Sequence, residues 1–216
     1  MASLPENIYL FRLVHRDNVE HILKHGICVR THPEADPNYV SIGHTQLISD
    51  RDQHPVRRLP GAGVLGEYVP FYFGGHSPML LMIKTGHRFV EQRSQSELVY
   101  LICGLKRIRN AGLEFIFTDR NAKLELASFY RDPADLSEID WEVVRSRYWS
   151  NTEADLSRME RKQAEFLVRE YVPVDCIDAI VTYDDATERR IKELTATFAP
   201  QIRVVTDRKH QYFYPE

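Results

Sequence analysis

Short apolar runs alternate with polar segments along this chain, and most of the runs are too short to form long helices. Runs rich in Val, Ile, Phe and Tyr that are bounded by polar or turn residues are typical of β-strands. This pattern predicts strands at Ile8–Val14, Met79–Ile83, Leu113–Thr118, Glu165–Val168, Ile177–Tyr183, Ile202–Val205 and Gln211–Tyr214.

Other segments repeat their apolar residues every three or four positions, which predicts helices. Asp17 is suited to cap a first helix that ends at Gly26. The segment Ser94-Gln-Ser-Glu97 has the form of a capping box and predicts a helix through about Arg109. Two further helices are predicted at Trp141–Trp149 and Ala186–Phe198. Strands and helices mixed in this irregular order, without a linker or repeat, predict an α+β fold in a single domain over residues 1–216.

The segment from Arg30 to about Pro70 is rich in Pro, Gly, Asp and His, and it predicts a long loop. Loops of such length inside a compact domain usually carry a function. Within it, Gly61-Ala-Gly-Val-Leu-Gly66 matches the dinucleotide-binding pattern G-x-G-x-x-G. That pattern binds a pyrophosphate only when it lies between a strand and the N-terminus of a helix. Neither flank fits here, so we interpret the glycines as a flexible loop and not as part of a Rossmann fold.

The composition is that of a globular protein, with 43% hydrophobic residues, 27% charged residues and a formal net charge of −3. Three widely spaced cysteines predict a reducing, cytoplasmic environment and no disulfide framework. No apolar run is long enough to span a membrane. His21 and His25 stand four residues apart, but no third ligand accompanies them, so we expect no metal site.

One carboxylate stands at the start of a predicted buried strand, Glu165 in Arg161-Lys-Gln-Ala-Glu165-Phe-Leu-Val168. A carboxylate at such an edge loses solvation, so its pKa can be tuned for acid–base chemistry. Two further segments accompany it, Tyr68–Leu80 and Phe117-Thr-Asp-Arg120. In this order and at this spacing, the three segments resemble the DarT-type DNA ADP-ribosyltransferases, toxins that transfer ADP-ribose from NAD⁺ to a DNA base.

The resemblance implies an ADP-ribosyltransferase-like split β-sheet with flanking helices, and NAD⁺ as a substrate without a metal. Glu165 matches the catalytic glutamate of the family, and Arg51 matches the essential arginine of the loop over the cofactor. A carboxylate in this position can bind a ribose hydroxyl, stabilise an oxocarbenium-like transition state and accept a proton. The residues expected to bind NAD⁺ together with Arg51 are Arg12, His15, Asn18, Tyr72 and Phe73, with His76 shaping the nicotinamide pocket. Tyr72 and Phe73 fit a place in the core equally well.

The first predicted strand departs from the thymine-modifying members of the family. Those members have a histidine that contacts the cofactor where this chain has Arg12, in Phe11-Arg-Leu-Val14. An arginine there can bind a phosphate or ribose through two nitrogens. A sister branch with this pattern modifies guanine, and we expect guanine slightly ahead of thymine as the acceptor base.

Single-stranded DNA is the expected acceptor, because an atom inside a duplex is hard for an enzyme to reach. Basic residues in the long loop are expected to contact phosphates, and two aromatic residues to offer a stacking surface. These DNA-binding candidates are His54, Arg57, Arg58, Tyr148 and Trp149.

Alternative functions remain open at this point. An NAD⁺-dependent RNA 2′-phosphotransferase would share the fold and cofactor, but the basic residues that would bind the 2′-phosphate are not evident. An ADP-ribosyltransferase acting on RNA or protein and a non-catalytic nucleic-acid-binding module are the other two. The resemblance also implies a toxin–antitoxin pair, in which an antitoxin ADP-ribosyl hydrolase of the macrodomain or NADAR type removes the modification.

Overall fold

An eight-stranded sheet organises the computed structural model, which describes residues 4–43, 45–87 and 90–215. The strands in chain order are β1 (Tyr9–His15), β2 (Ile27–Cys28), β3 (Tyr68–Tyr72), β4 (Leu98–Gly104), β5 (Phe115–Thr118), β6 (Phe129–Tyr130), β7 (Glu165–Arg169), β8 (Tyr171–Val172), β9 (Ile177–Thr182) and β10 (Arg203–Thr206). The order across the sheet is β10-β9-β4-β1-β3-β7-β5-β6, and β2 pairs separately with β8. Only β9 and β10 are parallel neighbours among these strands.

Short helices flank the sheet, which confirms the α+β prediction. They are α1 (Val19–His25), α2 (Thr45–Asp52), α3 (Pro78–Thr85), α4 (Leu105–Asn110), α5 (Trp141–Arg145), α6 (Arg158–Lys162) and α7 (Asp185–Phe198). Across the described ranges of the chain, none of the helices has the length and apolar character needed to cross a bilayer.

Alternation along the strands divides the core into one large cluster and two smaller ones. Leu10 of β1 and Phe166 of β7 pack into the large cluster on one face of the sheet. On the other face, Leu13 belongs to a cluster over β1, β4 and β9, whereas Leu167 belongs to a cluster beside β3, β5 and β7. The two smaller clusters lie on either side of the place where β1 and β3 separate, and those two strands pair only at Phe11 opposite Tyr72. The sheet is therefore split at this point, and the split lies between two apolar walls.

The strand predicted at Met79–Ile83 is wrong, because this segment lies in α3. The Ser77 hydroxyl accepts a hydrogen bond from the backbone N–H of Leu80, Pro78 occupies the first turn, and Gly86 ends the helix in the left-handed conformation. A short run that is apolar on all sides does not distinguish a buried strand from a buried helix.

The helix predicted from Ser94 to Arg109 is also wrong. The capping box does form, but it opens only the 3₁₀ turn Gln95–Glu97, after which the chain enters β4 and then α4. β4 is buried on both faces and therefore lacks the alternation that would have identified it.

Three other predictions differ from the structure in the length or the type of the element. The helix predicted at Trp141–Trp149 ends at Arg145. The predicted strand Gln211–Tyr214 is not a regular strand, because Asp207 accepts hydrogen bonds from three of its backbone N–H groups and the Gln95 amide pairs with Tyr214. The predicted loop from Arg30 to about Pro70 contains α2, a 3₁₀ turn at Leu65–Glu67 and the start of β3.

The glycine-rich segment 61–66 follows a bridge between Pro55 and Val64 and precedes β3, so it does not join a strand to a helix. Gly66 lies against the end of α2, where an added Cβ would come within 2.5 Å of the Asp52 carbonyl oxygen. In this structure the glycine allows α2 to pack closely, a role unrelated to phosphate binding.

Candidate active site

Glu165 opens β7 at the split in the sheet. It lies opposite Tyr72 of β3, and Tyr72 lies opposite Phe11 of β1, so the three residues form one row across the sheet. By alternation, Glu165 and Tyr72 are on the face that carries the two smaller clusters. The row therefore brings a carboxylate and a phenol to the point where β1 and β3 separate.

Arg51 reaches Glu165 from α2, although 114 positions separate the two residues. Its Nη1 donates to Oε1 at 3.1 Å and its Nη2 to Oε2 at 2.5 Å, the geometry of a bidentate pair. The Glu165 side chain is only 3% exposed and that of Arg51 is 19% exposed. Burial opposes the charge of Arg51, but the Glu165 carboxylate more than compensates and raises the pKa of the guanidinium. The structure thus joins the two residues predicted to be catalytic.

Segment 119–128, which links β5 to β6, also binds Glu165. The backbone N–H of Ala122 donates to Oε1 at 3.1 Å, and the backbone N–H of Glu165 donates to Thr118 Oγ1 at 3.1 Å. Both carboxylate oxygens therefore have donors, and the carboxylate has a fixed orientation. Sequence reasoning singled out the segment Phe117–Arg120 but missed Ala122, because a backbone N–H leaves no signal in the residue type.

Tyr72 is the third polar group of the site. Burial, followed by the negative charge of Glu165, raises its pKa, and the nearby Arg51 and Arg12 only partly offset this. The hydroxyl therefore stays protonated and can donate a hydrogen bond at any physiological pH.

The residues predicted on the β1 side are bound mainly to other parts of the protein. His15 is buried, with Nδ1 accepting the backbone N–H of Asp17 and Nε2 lying 3.6 Å from Glu97. The Asn18 amide donates to the carbonyl oxygen of Val40 and accepts from its N–H, so it joins the start of α1 to the segment before α2.

Arg12 lies on the strand face of the large cluster by alternation. Its Nη1 donates to the carbonyl oxygen of Pro70 at 2.9 Å, which links β1 to β3 beyond their single paired position. Its buried Nε has no partner in the described part of the chain.

The remaining residues predicted for the nicotinamide pocket, Phe73 and His76, are both buried and contact other parts of the protein. Phe73 is buried in the large cluster, edge-on to Trp141 and Phe166, so the core interpretation applies to it. His76 is buried too, and its Nε2 bonds the carbonyl oxygen of Phe213.

The predicted DNA-binding residues fall into two places. His54, Arg57 and Arg58 directly follow α2, and for the described residues no hydrogen bond or ion pair involves either arginine side chain. Burial, then the positive charges of Arg57 and Lys123, lower the pKa of His54. A basic strip therefore adjoins Arg51.

The two aromatic candidates differ in accessibility. Tyr148 is 79% exposed, whereas Trp149 is buried and donates from Nε1 to the hydroxyl of Tyr214. Only Tyr148 presents a free aromatic face to a nucleic-acid base.

His21 and His25 stack at a centroid distance of 4.4 Å, and both bond Glu34. Within the described residues, no group of three or more His, Cys, Asp and Glu side chains is arranged to hold a metal ion.

Comparison with known proteins identifies close relatives over nearly the whole chain. The family model described as "ssDNA thymidine ADP-ribosyltransferase, DarT" matches residues 11–214. A DNA ADP-ribosyl transferase of Escherichia coli O127:H6 is 34% identical over 194 residues, which cover 89% of this chain and 88% of the relative. The structure of Thermus sp. 2.9 DarT in complex with ADP-ribosylated ssDNA superposes with a TM-score of 0.85 at 31% identity, covering 98% of this chain and 99% of that one. The NAD⁺ complex of the same Thermus protein gives a TM-score of 0.80 at 32% identity, covering 98% of this chain and 100% of that one.

Proposed function

Because this chain belongs to the DarT family of single-stranded DNA ADP-ribosyltransferases, we propose that it transfers ADP-ribose from NAD⁺ to a thymine of single-stranded DNA. The observation that carries the proposal is the position of Glu165, bound to Arg51 and Ala122 at the split between β1 and β3. Solved relatives hold NAD⁺ and ADP-ribosylated ssDNA in the same fold.

The proposed reaction breaks the bond between the nicotinamide nitrogen and C1′ of its ribose, and the bonding electrons leave with nicotinamide. A new bond forms between C1′ and a ring nitrogen of the base, which loses its proton. Positive charge builds up on the ribose as the leaving group departs, so a fixed carboxylate close to C1′ lowers the barrier. The reaction is therefore a glycosyl transfer, and the chain itself needs to supply only a few groups.

Glu165 is the proposed catalytic residue, and Arg51 is its partner. In the ligand-free site the two groups neutralise each other, and both Glu165 oxygens accept from Arg51. A ribose hydroxyl that binds Glu165 must replace at least one of these bonds, which frees part of the guanidinium for a phosphate or the acceptor base. Tyr72 is placed to donate to NAD⁺ in the same gap.

Arg12, His15 and Asn18 are proposed to act mainly by supporting the walls of this gap. Their observed contacts join β1 to β3 and to the turn before β4, and they join the start of α1 to the segment before α2.

The proposed acceptor base differs from the one that the sequence favoured. We expected guanine from the presence of Arg12, but its guanidinium is bound to Pro70 and the matching family model is described for thymidine. We therefore propose thymine, with guanine as the alternative that the experiment below distinguishes. The DNA backbone is proposed to follow His54, Arg57 and Arg58, with Tyr148 stacking on a base.

In the cell we propose that the protein acts as the toxin of a toxin–antitoxin pair. Its partner would be a hydrolase of the macrodomain or NADAR type that removes ADP-ribose from DNA. NAD⁺ and DNA occur together in the bacterial cytoplasm, which is where we propose that the protein works.

The proposal is tested by mass spectrometry of four single-stranded oligonucleotides, each with one candidate base, after incubation with NAD⁺. We expect a gain of one ADP-ribosyl group on the thymine oligonucleotide only. Glu165→Gln keeps the size of the side chain and one acceptor oxygen but removes its charge, and it should lower the rate by at least about 10²-fold.

If the guanine oligonucleotide is modified instead, ADP-ribosyl transfer to DNA is correct but the acceptor base is guanine and not thymine. Loss of NAD⁺ only in the presence of RNA or protein would move the acceptor away from DNA. No consumption of NAD⁺ in any mixture would overturn the enzymatic function and favour a nucleic-acid-binding module.

A further inference from the structure

Thr118 occupies the position where β5 and β7 stop pairing. The two strands are antiparallel, with Phe115 opposite Val168 and Phe117 opposite Phe166. The next residues in that register are Thr118 and Glu165, but the pairing of β5 with β7 ends at Phe117, while the other edge of β5 still pairs Thr118 with Phe129 of β6. The Thr118 hydroxyl accepts the backbone N–H of Glu165 at 3.1 Å in place of a strand carbonyl.

The same hydroxyl also binds segment 119–128. Thr118 Oγ1 donates to the carbonyl oxygen of Arg120 at 2.6 Å, and the residue is fully buried. A hydroxyl has one hydrogen to donate and lone pairs that can accept. Its hydrogen is donated to Arg120, and a lone pair of its oxygen accepts the N–H of Glu165. Adjacent hydrogen bonds of this kind strengthen each other.

Segment 119–128 is closed at its base and returns to the catalytic carboxylate. The N–H of Asp119 donates to the Ser128 carbonyl oxygen, and the N–H of Ser128 donates to Asp119 Oδ1 at 2.9 Å. Three residues farther along, Ala122 donates its N–H to Glu165 Oε1. Glu165 is therefore held at two points, at its backbone by Thr118, which directly precedes the segment, and at its carboxylate by Ala122 within the segment.

The segment also borders the basic strip. Its Ala122 packs in the same buried cluster as Val56, which lies between His54 and Arg57 of the strip, and its Lys123 adds to the lowering of the His54 pKa. A DNA strand lying along the strip would therefore contact segment 119–128 as well.

We propose that Thr118 is a positioning residue that couples segment 119–128 to Glu165, so that the ribosyl group released from NAD⁺ passes to the DNA base and not to water. The inference rests on the proposed function and assigns this coupling to one hydroxyl. In transfer, C1′ bonds to the base nitrogen and the base loses a proton. In hydrolysis, C1′ bonds to a water oxygen, the water loses a proton, and free ADP-ribose is released. Each route consumes one NAD⁺ and releases one nicotinamide.

The ratio of free ADP-ribose released to ADP-ribosylated DNA formed therefore measures how the ribosyl group is divided between the two routes. Thr118→Val removes the hydroxyl and keeps the branched shape, whereas Thr118→Ser keeps the hydroxyl. Because a hydrogen bond of this kind contributes enough for roughly a tenfold effect, we expect the ratio to rise about tenfold in Thr118→Val and to stay near the wild-type value in Thr118→Ser. The matched control is Thr195→Val, which removes a buried hydroxyl bonded within α7 to Lys192.

A second variant keeps the test decisive if Thr118→Val does not fold. Asn121 is only partly buried, and its side chain ties the segment to Gln163, so Asn121→Ala loosens the segment and leaves Thr118 in place. This variant should raise the ratio in the same direction. An unchanged ratio in both variants would overturn the coupling, even if both lower the melting temperature. If the wild-type protein releases no nicotinamide and modifies no DNA, the proposed function fails and not the role of Thr118.

Discussion

Two arginines in this protein bind carboxylates in similar ways but in different surroundings. Arg51 holds both oxygens of Glu165, while Arg161 binds both oxygens of Asp155 and donates from Nε to Asp140 at 2.9 Å. Glu165 is 3% exposed, whereas the side chains of Asp140 and Asp155 are 32% and 28% exposed. The Arg161 group joins segments close together along the chain, and the Arg51 pair joins segments 114 positions apart.

The comparison shows that a bidentate pair is not in itself a sign of function. Arg161 has a second carboxylate and the Ser157 hydroxyl, so its donors are satisfied where α5 and α6 meet. Arg51 and Glu165 lie where two strands separate, next to Tyr72 and a basic strip. The Arg51 pair therefore differs from the Arg161 group in lying at the split in the sheet, which is where we propose that NAD⁺ binds.

The largest expected effect comes from the same change at both arginines. Lysine keeps the charge but loses the planar fork that holds two oxygens. Arg51→Lys should lower the rate of DNA modification by about 10²-fold, with little change in melting temperature. Arg161→Lys should do the reverse and lower the melting temperature with the rate nearly unchanged. The rate of DNA modification and the melting temperature are measured for both variants. An equal loss of activity in the two variants would contradict the difference between the two arginines.

Gly66→Ala tests whether the position of Arg51 depends on the end of α2. The new Cβ would lie 2.5 Å from the Asp52 carbonyl oxygen, so α2 must shift, and overpacking of this kind costs about 1–3 kcal/mol. We expect both the free energy of unfolding, measured in urea, and the rate to fall.

Gly61→Ala is the matched control from the same glycine-rich segment. Gly61 has φ +76° and no atom within 4 Å of an added Cβ, so only backbone strain of about 1 kcal/mol is expected, with the rate retained. Equal loss of rate in the two variants would contradict a specific contact between Gly66 and α2.

The sequence patterns located part of this arrangement for identifiable reasons. Short apolar runs bounded by polar residues predicted β1, β7 and β9 to within about two residues, and amphipathic spacing predicted α7. The pattern failed at β4 and α3, because each is apolar on all sides and its period cannot be read. The segment of α2 has no apolar stripe, so Arg51 was expected on a loop.

In the candidate active site too, only some of the residues could be predicted from the sequence. Glu165 and Arg51 could be matched to a family pattern, and the structure brings them together. The contributions of Ala122 and Thr118 come from the backbone and from the point at which β5 leaves β7, which only the folded register defines. Phe73 lies in an aromatic segment that fitted both the core and the cofactor pocket, and its ring contacts with Trp141 and Phe166 place it in the core.

Asn18→Ala tests whether the bonds between Asn18 and Val40 fix the position of α2, the helix that carries Arg51. The variant removes two hydrogen bonds to Val40, which precedes α2, and should raise the KM for NAD⁺ about tenfold. Hydrogen exchange should also become faster in residues 40–52. A raised KM without faster exchange would instead indicate that Asn18 binds NAD⁺ directly. Asn110→Ala, at the exposed end of α4, is the control and should change neither quantity.

The last expected effect is on stability alone and concerns Lys162, which follows Arg161 but has no carboxylate partner among the described residues. Its buried ammonium donates to the carbonyl oxygens of Val144 and Ser146. Burial, followed by the positive charge of Arg158, lowers its pKa to about 7. The unfolded chain keeps the ordinary pKa of about 10.4, so between these two values it binds more protons than the folded protein.

The cost of burying this charge is therefore present in full below about pH 7 and is relieved as the pH rises toward about 10.4. The free energy of unfolding should rise with pH across that window, with a slope of at most about 1.4 kcal/mol per pH unit from this group. Lys162→Met should lack this contribution. Urea unfolding of both proteins at about pH 6.5 and about pH 9 would measure the change in the free energy of unfolding across part of the window. Equal slopes in the two proteins would mean that the two carbonyl bonds keep Lys162 charged throughout, and that its cation is as well compensated as that of Arg161.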